Sequence, residues 1–337
     1  MSALAETLPL AVSFDFLTAW DFWIGVGVLA GVYGIFTLGL QLNVGYTGII
    51  NFGQAGFMAM GAYSAIILIV DLGIPTVLAL LLSTLITMAA GLLIGISSLR
   101  LRADYFAIAT IAFAEIIRLT ARNARDLTGG NQGTISIELD NDRFYTDGWF
   151  EISNWVRDNL LDPIGLGGPE FGSLPLLIMV WSVLAVLVVV LNRLIETPWG
   201  RVLRAVREDE DAARALGKNA FSYKLQSLAI AAALGAMSGW MLALSLESVN
   251  QDAFEPLFTF IGYGILVLGG LASFAGVMVG SVILWTVLEG MRFLELPLAA
   301  DKVAALRFVL VGLILILLMA FRPQGIFGKR EEMVIGE

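Results

Sequence analysis

The chain contains no cysteine and no histidine, and only 15% of its 337 residues are charged. Without thiolate or imidazole there is no zinc-type ligand set, no Ser-His-Asp or Cys-His nucleophile, no disulfide staple and no histidine pH switch. Most enzyme classes go with these absences, so the chain is read as a non-enzyme with no metal and no cofactor of its own. A net charge of −9 offers no basic surface, and no DNA or RNA partner is expected. What the chain has in excess is apolar surface. Apolar residues make up 58% and mean hydropathy is +0.84, against about 45–50% apolar in soluble domains even with glycine included.

A helix that crosses about 30 Å of hydrocarbon needs about 20 apolar residues. Nine runs are candidates: 22–42, 51–70, 74–99, 105–119, 174–195, 225–246, 257–271, 275–293 and 303–321. Backbone amides in lipid must be satisfied within their own segment or in a closed barrel, and none of these runs alternates with period two. The expected fold is therefore an all-α polytopic membrane protein with about nine transmembrane helices, built as one transmembrane domain over residues 1–337. Run 257–271 is short enough to be either a span or a re-entrant half-helix. Residues 1–21 lack the basic n-region and cleavage site of a signal peptide and are expected to stay on the mature chain.

Cytoplasmic loops carry the excess of Lys and Arg. The turn at Arg100 and Arg102, the segment 193–224 and the tail with Arg322, Lys329 and Arg330 hold 12 of the 20 basic residues, and nine spans place all three on one side. The expected topology is multi-pass in the inner (plasma) membrane, with the N-terminus outside and the C-terminus cytoplasmic. Segment 120–173 then forms an extracytoplasmic loop with nine acids, Tyr145, Trp149, Phe150, Trp155 and a Gly/Pro cluster at 163–169. It reads either as an amphipathic segment at the headgroups or as a docking surface for an external partner.

On the inner side, 196–224 reads as a pair of short amphipathic helices outside the bilayer. Val202, Leu203, Val206, Ala213 and Leu216 recur at near-helical spacing among charges, and Gly217 is placed as a stop. Arg201, Arg204 and Arg207 could hold anionic lipid, while the run Glu208, Asp209, Glu210 and Asp211 argues against a surface bound only to lipid.

Four stretches together resemble the permease subunits of branched-chain and neutral amino acid ABC importers, the LivM type. They are Gly45-Tyr46-Thr47-Gly48 with Asn51-Phe52-Gly53-Gln54-Ala55-Gly56-Phe57 and Gly61-Ala62-Tyr63; Leu99-Arg100-Leu101-Arg102-Ala103-Asp104-Tyr105 leading to Glu115-Ile116-Ile117-Arg118 and Leu127-Thr128-Gly129-Gly130; Gly200-Arg201 through Gly217 to Tyr223-Lys224; and Arg322-Pro323-Gln324-Gly325-Ile326. Gln54 stands where relatives often carry histidine, and the outside loop is unusually acidic. The resemblance implies import driven by ATP. No G-x-x-x-x-G-K-[ST] motif is present, because Ala212 precedes Gly217-Lys218 and Pro323 precedes Gly328-Lys329 where the first glycine belongs. ATP is thus expected on a partner: two cytoplasmic ATPase subunits, beside a second homologous permease, an extracytoplasmic solute-binding protein and membrane lipid. Segment 196–224 is then the coupling segment, with Arg207, Glu208, Asp209, Glu210, Asp211, Ala213, Arg214, Leu216 and Gly217 as the residues that meet the ATPase. A urea or short-chain amide permease shares these signatures. An ion-coupled secondary transporter and a structural brace for a sister permease are the readings from other classes.

Segment 43–63 holds five glycines and places Asn43, Thr47, Asn51 and Gln54 at membrane depth. Irregular backbone is tolerated there only where it is buried or lines a cavity. Asn43, Thr47, Asn51, Gly53, Gln54 and Tyr63 are therefore the candidate substrate pathway, in a glycine-rich broken-helix region whose free amides and carbonyls suit a zwitterion. The glycines alone could equally serve close helix packing. A second glycine-rich run from Gly262 to Gly280 would lie antiparallel to the first, as in an inverted repeat. Glu115 with Arg118 and Glu289 with Arg292 read as local ion pairs or as groups that touch substrate.

Overall fold

In a computed structural model, the structure describes residues 15–130, 133–135, 149–168, 171–246, 248–293, 300–321 and 324–328. The N-terminal tail, Tyr145 with most of the loop acids, Pro169, Arg322-Pro323, Lys329 and Arg330 lie outside them. The helices are α1 (Trp20–Leu40), α2 (Gln54–Val70), α3 (Thr76–Ser98), α4 (Ala103–Asn123), α5 (Arg125–Thr128), α6 (Phe150–Val156), α7 (Leu174–Glu196), α8 (Pro198–Glu208), α9 (Glu210–Ala215), α10 (Ala220–Leu246), α11 (Leu257–Gly269), α12 (Phe274–Phe293) and α13 (Ala300–Phe321). A helix occupies each of the nine apolar runs. Among the described residues, five helices are long and apolar enough to cross a bilayer: Trp20–Thr47, Thr76–Ser98, Leu174–Glu196, Ala220–Leu246 and Phe274–Arg292. At 17 and 13 residues α2 and α11 are short, and α4 carries Glu115 and Arg118 in its apolar stretch. The chain is a helical membrane protein.

Burial sorts these helices into an inner and an outer set. From Val26 onward in α1 and from Ser227 to Leu244 in α10 most residues are buried, so neither stretch needs a polar face. In α3 and α7 only one stripe is buried, at Ala79, Ser83, Thr87, Gly91 and Gly95 and at Val180, Leu184, Val188, Leu191 and Ile195. Their opposite faces expose large apolar side chains such as Leu93 and Val186, as lipid contact requires. The centre is packed by small residues. A Cβ on Gly61 would run into the Ala236 backbone, and one on Gly239 into the Met58 carbonyl, so α2 and α10 touch backbone to backbone.

The helix α2 begins inside the bundle instead of at its surface, and the first turns of α11 run beside it. The amide of Ala55, in the first turn of α2, donates to Thr259 Oγ1 at 3.1 Å, and Tyr263 OH donates to the Asn51 carbonyl at 2.9 Å. As numbering rises from 51 to 55 it falls from 263 to 259, so the start of α2 and the start of α11 run antiparallel at one depth. Each follows a long helix, α1 or α10, and an irregular return into the bundle. The return before α11 is fixed by a two-residue antiparallel pairing, Thr134 with Val249 and Ile135 with Ser248. At the other end of α11, Gly270 has φ +104, and the turn 324–328 folds onto it through Ile326 N–H to Leu268 O and Phe327 N–H to Gly269 O, both 3.0 Å.

Replacing Gly61 with alanine should force α2 from α10 and cost about 1–3 kcal/mol. Thermal unfolding in detergent, compared with Gly25→Ala where a Cβ meets open space, should show a clear drop for the first variant and none for the second.

Candidate functional site

The broken-helix region starts where α1 widens into a π-helical turn, Gln41–Thr47, and stops at Gly48, whose φ of +75 lies in the left-handed region that favours glycine. The chain then climbs without regular structure to Gly53 and re-enters a helix at Gln54. Several of the polar groups this exposes find partners inside the protein, as backbone at membrane depth demands, while the buried Asn43 Nδ2 and Gln41 Oε1 have none among the described residues. Gly53 N–H donates to Asn51 Oδ1 at 2.8 Å, and Phe52 N–H donates to Thr110 Oγ1 of α4 at 3.1 Å. Asn51 Nδ2 donates to Gln54 Oε1 at 3.2 Å, while Gln54 Nε2 reaches Ala231 O of α10 at 2.9 Å and Phe36 O of α1 at 3.4 Å. Lower down, Thr47 Oγ1 lies 2.9 Å from Leu42 O and 2.8 Å from Ser227 Oγ, which donates to Asn43 Oδ1 at 3.0 Å. Asn43, Thr47, Asn51 and Gln54 are all at most 1% exposed.

Beneath this region lie α8 and α9. Pro198 occupies the first turn of α8, where its missing N–H costs nothing. Leu203 and Val206 are buried against the bundle, and Trp199 Nε1 donates to Gln226 Oε1 at 2.7 Å. Asp209 ends α8 and caps α9, its Oδ1 accepting from Ala212 N–H at 2.9 Å. Gly217, at φ +77, closes the pair. The last turn of α8 is joined to the broken helix: Arg207 Nη1 donates to the Gly45 carbonyl, and Gly48 lies so close that a Cβ there would stand 3.1 Å from Arg207 Cγ. A guanidinium on the free carbonyls at a helix C-terminus is favoured by charge as well as by hydrogen bonding.

The family described as branched-chain amino acid transport system / permease component matches residues 23–319. The chain belongs to this family. It is 32% identical to the high-affinity branched-chain amino acid transport system permease protein LivM of Salmonella typhimurium, across 96% of this chain and 76% of that one, and 32% identical to LivM of Escherichia coli, across 96% and 74%. To the probable branched-chain amino acid transport permease protein LivM of Methanocaldococcus jannaschii it is 25% identical, across 89% and 91%. No solved structure matches the chain.

In this permease component the six pathway candidates fall into two groups. Asn51, Gly53 and Gln54 form one hydrogen-bonded unit at the start of α2, and Asn43 and Thr47 a second one with Ser227. Tyr63 stands apart, more than two turns further along α2 with its ring 5.8 Å from Phe254. Thr110, Thr259 and Tyr263, which complete the support of 51–55, carry no spacing signal in the sequence, since they arrive from α4 and α11 only through folding.

The four acids Glu208 to Asp211 are likewise divided. Glu208 and Asp211 are exposed, Asp209 serves as a cap, and Glu210 binds both Arg214 and Lys224. Ala213 is buried with Val206 and Ala220 and so holds α9 to α8, whereas Leu216 projects outward at 80% exposure.

Gln54→Ala should leave two backbone carbonyls and Asn51 without their amide partner. A loss of about 1–3 kcal/mol is expected. Thermal unfolding should register it, and Gln54→Glu, which removes the donor at the same size, should lose at least as much.

Proposed function

We propose that this permease component forms half of the membrane channel of an ATP-driven importer of branched-chain or other neutral amino acids. It pairs with a second homologous permease, two cytoplasmic ATPase subunits that bind the ATP, and an extracytoplasmic binding protein that selects the solute. Residues 1–337 act as one permease domain that crosses the inner membrane nine times, with the N-terminus and 120–173 outside and 196–224 and the C-terminus inside. The shortness of α2 and α11 is compatible with this count because each shares its crossing with an irregular return. The substrate passes along the broken helix, where Asn43, Thr47, Asn51, Gly53, Gln54 and Tyr63 border the route. Glu208, Asp211, Arg214 and Leu216 meet the ATPase, while Asp209, Glu210, Ala213 and Gly217 keep the foot in shape. The names of the relatives support the solute class, and the lack of a phosphate-binding loop supports a separate ATPase.

The observation that carries the mechanism is the bond from Arg207 to the Gly45 carbonyl. It links the only amphipathic surface helices on that face of the described bundle to the end of the broken helix, so a push on α8 and α9 is delivered to residues 45–48 as a rigid-body displacement.

The test is leucine uptake into proteoliposomes that contain the full complex. Uptake should require ATP and the ATPase subunits, and uptake by this chain alone on a proton or sodium gradient would overturn the reading. Arg207→Ala should cut uptake about tenfold, the equivalent of one charge-assisted hydrogen bond, while ATP hydrolysis continues. Converting Glu208 and Asp211 to lysine should instead weaken ATPase attachment, measured by co-purification.

A further inference from the structure

A cavity of about 520 Å³ opens between the broken helix, the α3–α4 turn and α9. Its charged lining is Arg100, Arg102, Arg214 and Lys224 against one acid, Glu210. Glu210 already serves Arg214 and Lys224, and its two oxygens are both engaged. Arg100 and Arg102 form no ion pair among the described residues, and the Arg100 guanidinium is held 5.7 Å from the centre of the Phe221 ring. The remainder of the lining is apolar, with Ile49 and Phe106 buried at its floor and Ile50 and Leu101 at its edge. Two unpaired guanidiniums over an apolar floor make a receptor for an anion that carries hydrocarbon.

The surroundings say where such an anion comes from. The α3–α4 turn ends the lipid-type apolar faces of both helices: Leu93, Ile96, Tyr105 and Ile108 are 48–69% exposed on either side of it. A lipid standing against those faces would bring its headgroup to the level of Arg100 and Arg102 and its upper acyl chain to Leu101 and Ile50. The volume lies within the range of small-molecule sites and accepts a phosphoglycerol group. A soluble phosphate ester would use the same two arginines but would leave the apolar floor uncovered.

We propose that this cavity binds the phosphodiester of an anionic phospholipid through Arg100 and Arg102, where α9, the α3–α4 turn and residues 48–50 meet. The lipid assignment rests on the reading that this end of the bundle lies at a membrane surface, but not on the transported solute or the ATPase.

The full chain, purified in detergent with a mixture of phosphatidylglycerol and phosphatidylcholine, can be assayed by native mass spectrometry for retained lipid. The wild type should retain phosphatidylglycerol about tenfold over phosphatidylcholine, as two basic side chains at a headgroup allow. Arg100→Gln with Arg102→Gln should abolish that preference, Arg100→Lys with Arg102→Lys should keep most of it, and Arg193→Gln, a basic change outside the cavity, should leave it intact. Should the double glutamine variant not be recovered folded, Ala103→Glu keeps both arginines, adds a carboxylate to the lining and should also abolish it. Unchanged preference in either variant would overturn the proposal. In a separate arm with glycerol 3-phosphate alone, binding that depends on the arginines together with no lipid preference would overturn the lipid source and leave a soluble phosphate ester in its place. Failure of leucine uptake with the lipid preference intact would count against the transport reading and not against this site.

Discussion

The structure depends on one constraint: a peptide group that leaves a helix inside a membrane must find its hydrogen bonds within the protein. Between Gly48 and Gln54 the chain gives up regular structure in the middle of the bundle, and the consequences reach four other helices. Thr110 of α4 receives the Phe52 amide, Thr259 of α11 receives the Ala55 amide, and Tyr263 of the same helix binds the Asn51 carbonyl. Gln54 extends the network to α1 and α10. These contacts explain why the middle of α10 is buried and why α2 and α11 can be short. A short helix is stable in such a place only when its free end is held by others.

The same constraint suggests how the region could move. A bundle packed backbone to backbone at Gly61 and Gly239 transmits displacement and does not absorb it. The left-handed residue Gly48 and the π-helical turn before it are the points where the backbone departs from ordinary geometry, and π-helical turns are known to mark functional sites in helices. Arg207 bonds this stretch from below. The chain therefore places its least regular membrane segment in direct contact with its most amphipathic surface helix, a juxtaposition suited to passing motion inward.

Much of this was legible in the sequence. The nine apolar runs all became helices because burial in lipid leaves the backbone few alternatives, and the buried amides Asn43, Asn51 and Gln54 among the glycines of 43–63 marked the break because an amide side chain at that depth needs a partner. The Glu115–Arg118 and Glu289–Arg292 pairs followed from their spacing and are present at 2.6 Å and 3.7 Å. What stayed hidden was long-range. Thr110, Thr259 and Tyr263 look like ordinary residues of apolar helices, and only the antiparallel meeting of α2 and α11 gives them a task. The run Glu208 to Asp211 read as one acidic surface, whereas local helix geometry turns Asp209 into a cap and Glu210 inward, leaving Glu208 and Asp211 outside. Ala213 matched the spacing of a docking residue but lies beneath its own helix pair, since a small residue at that position lets α9 lie flat on α8.

The central claim is that the foot and the broken helix move as one body. Because the chain has no cysteine, spin labels can be placed singly, at Leu216→Cys on the foot, Ile50→Cys in the break and Leu93→Cys on the lipid face of α3. Electron–electron distance measurements on the assembled complex, before and after trapping with ATP and vanadate, compare the pairs directly. The 216–50 separation should stay constant while the 216–93 separation changes by roughly 2 Å or more. A foot that moves relative to Ile50 while keeping its distance from Leu93 would contradict the account.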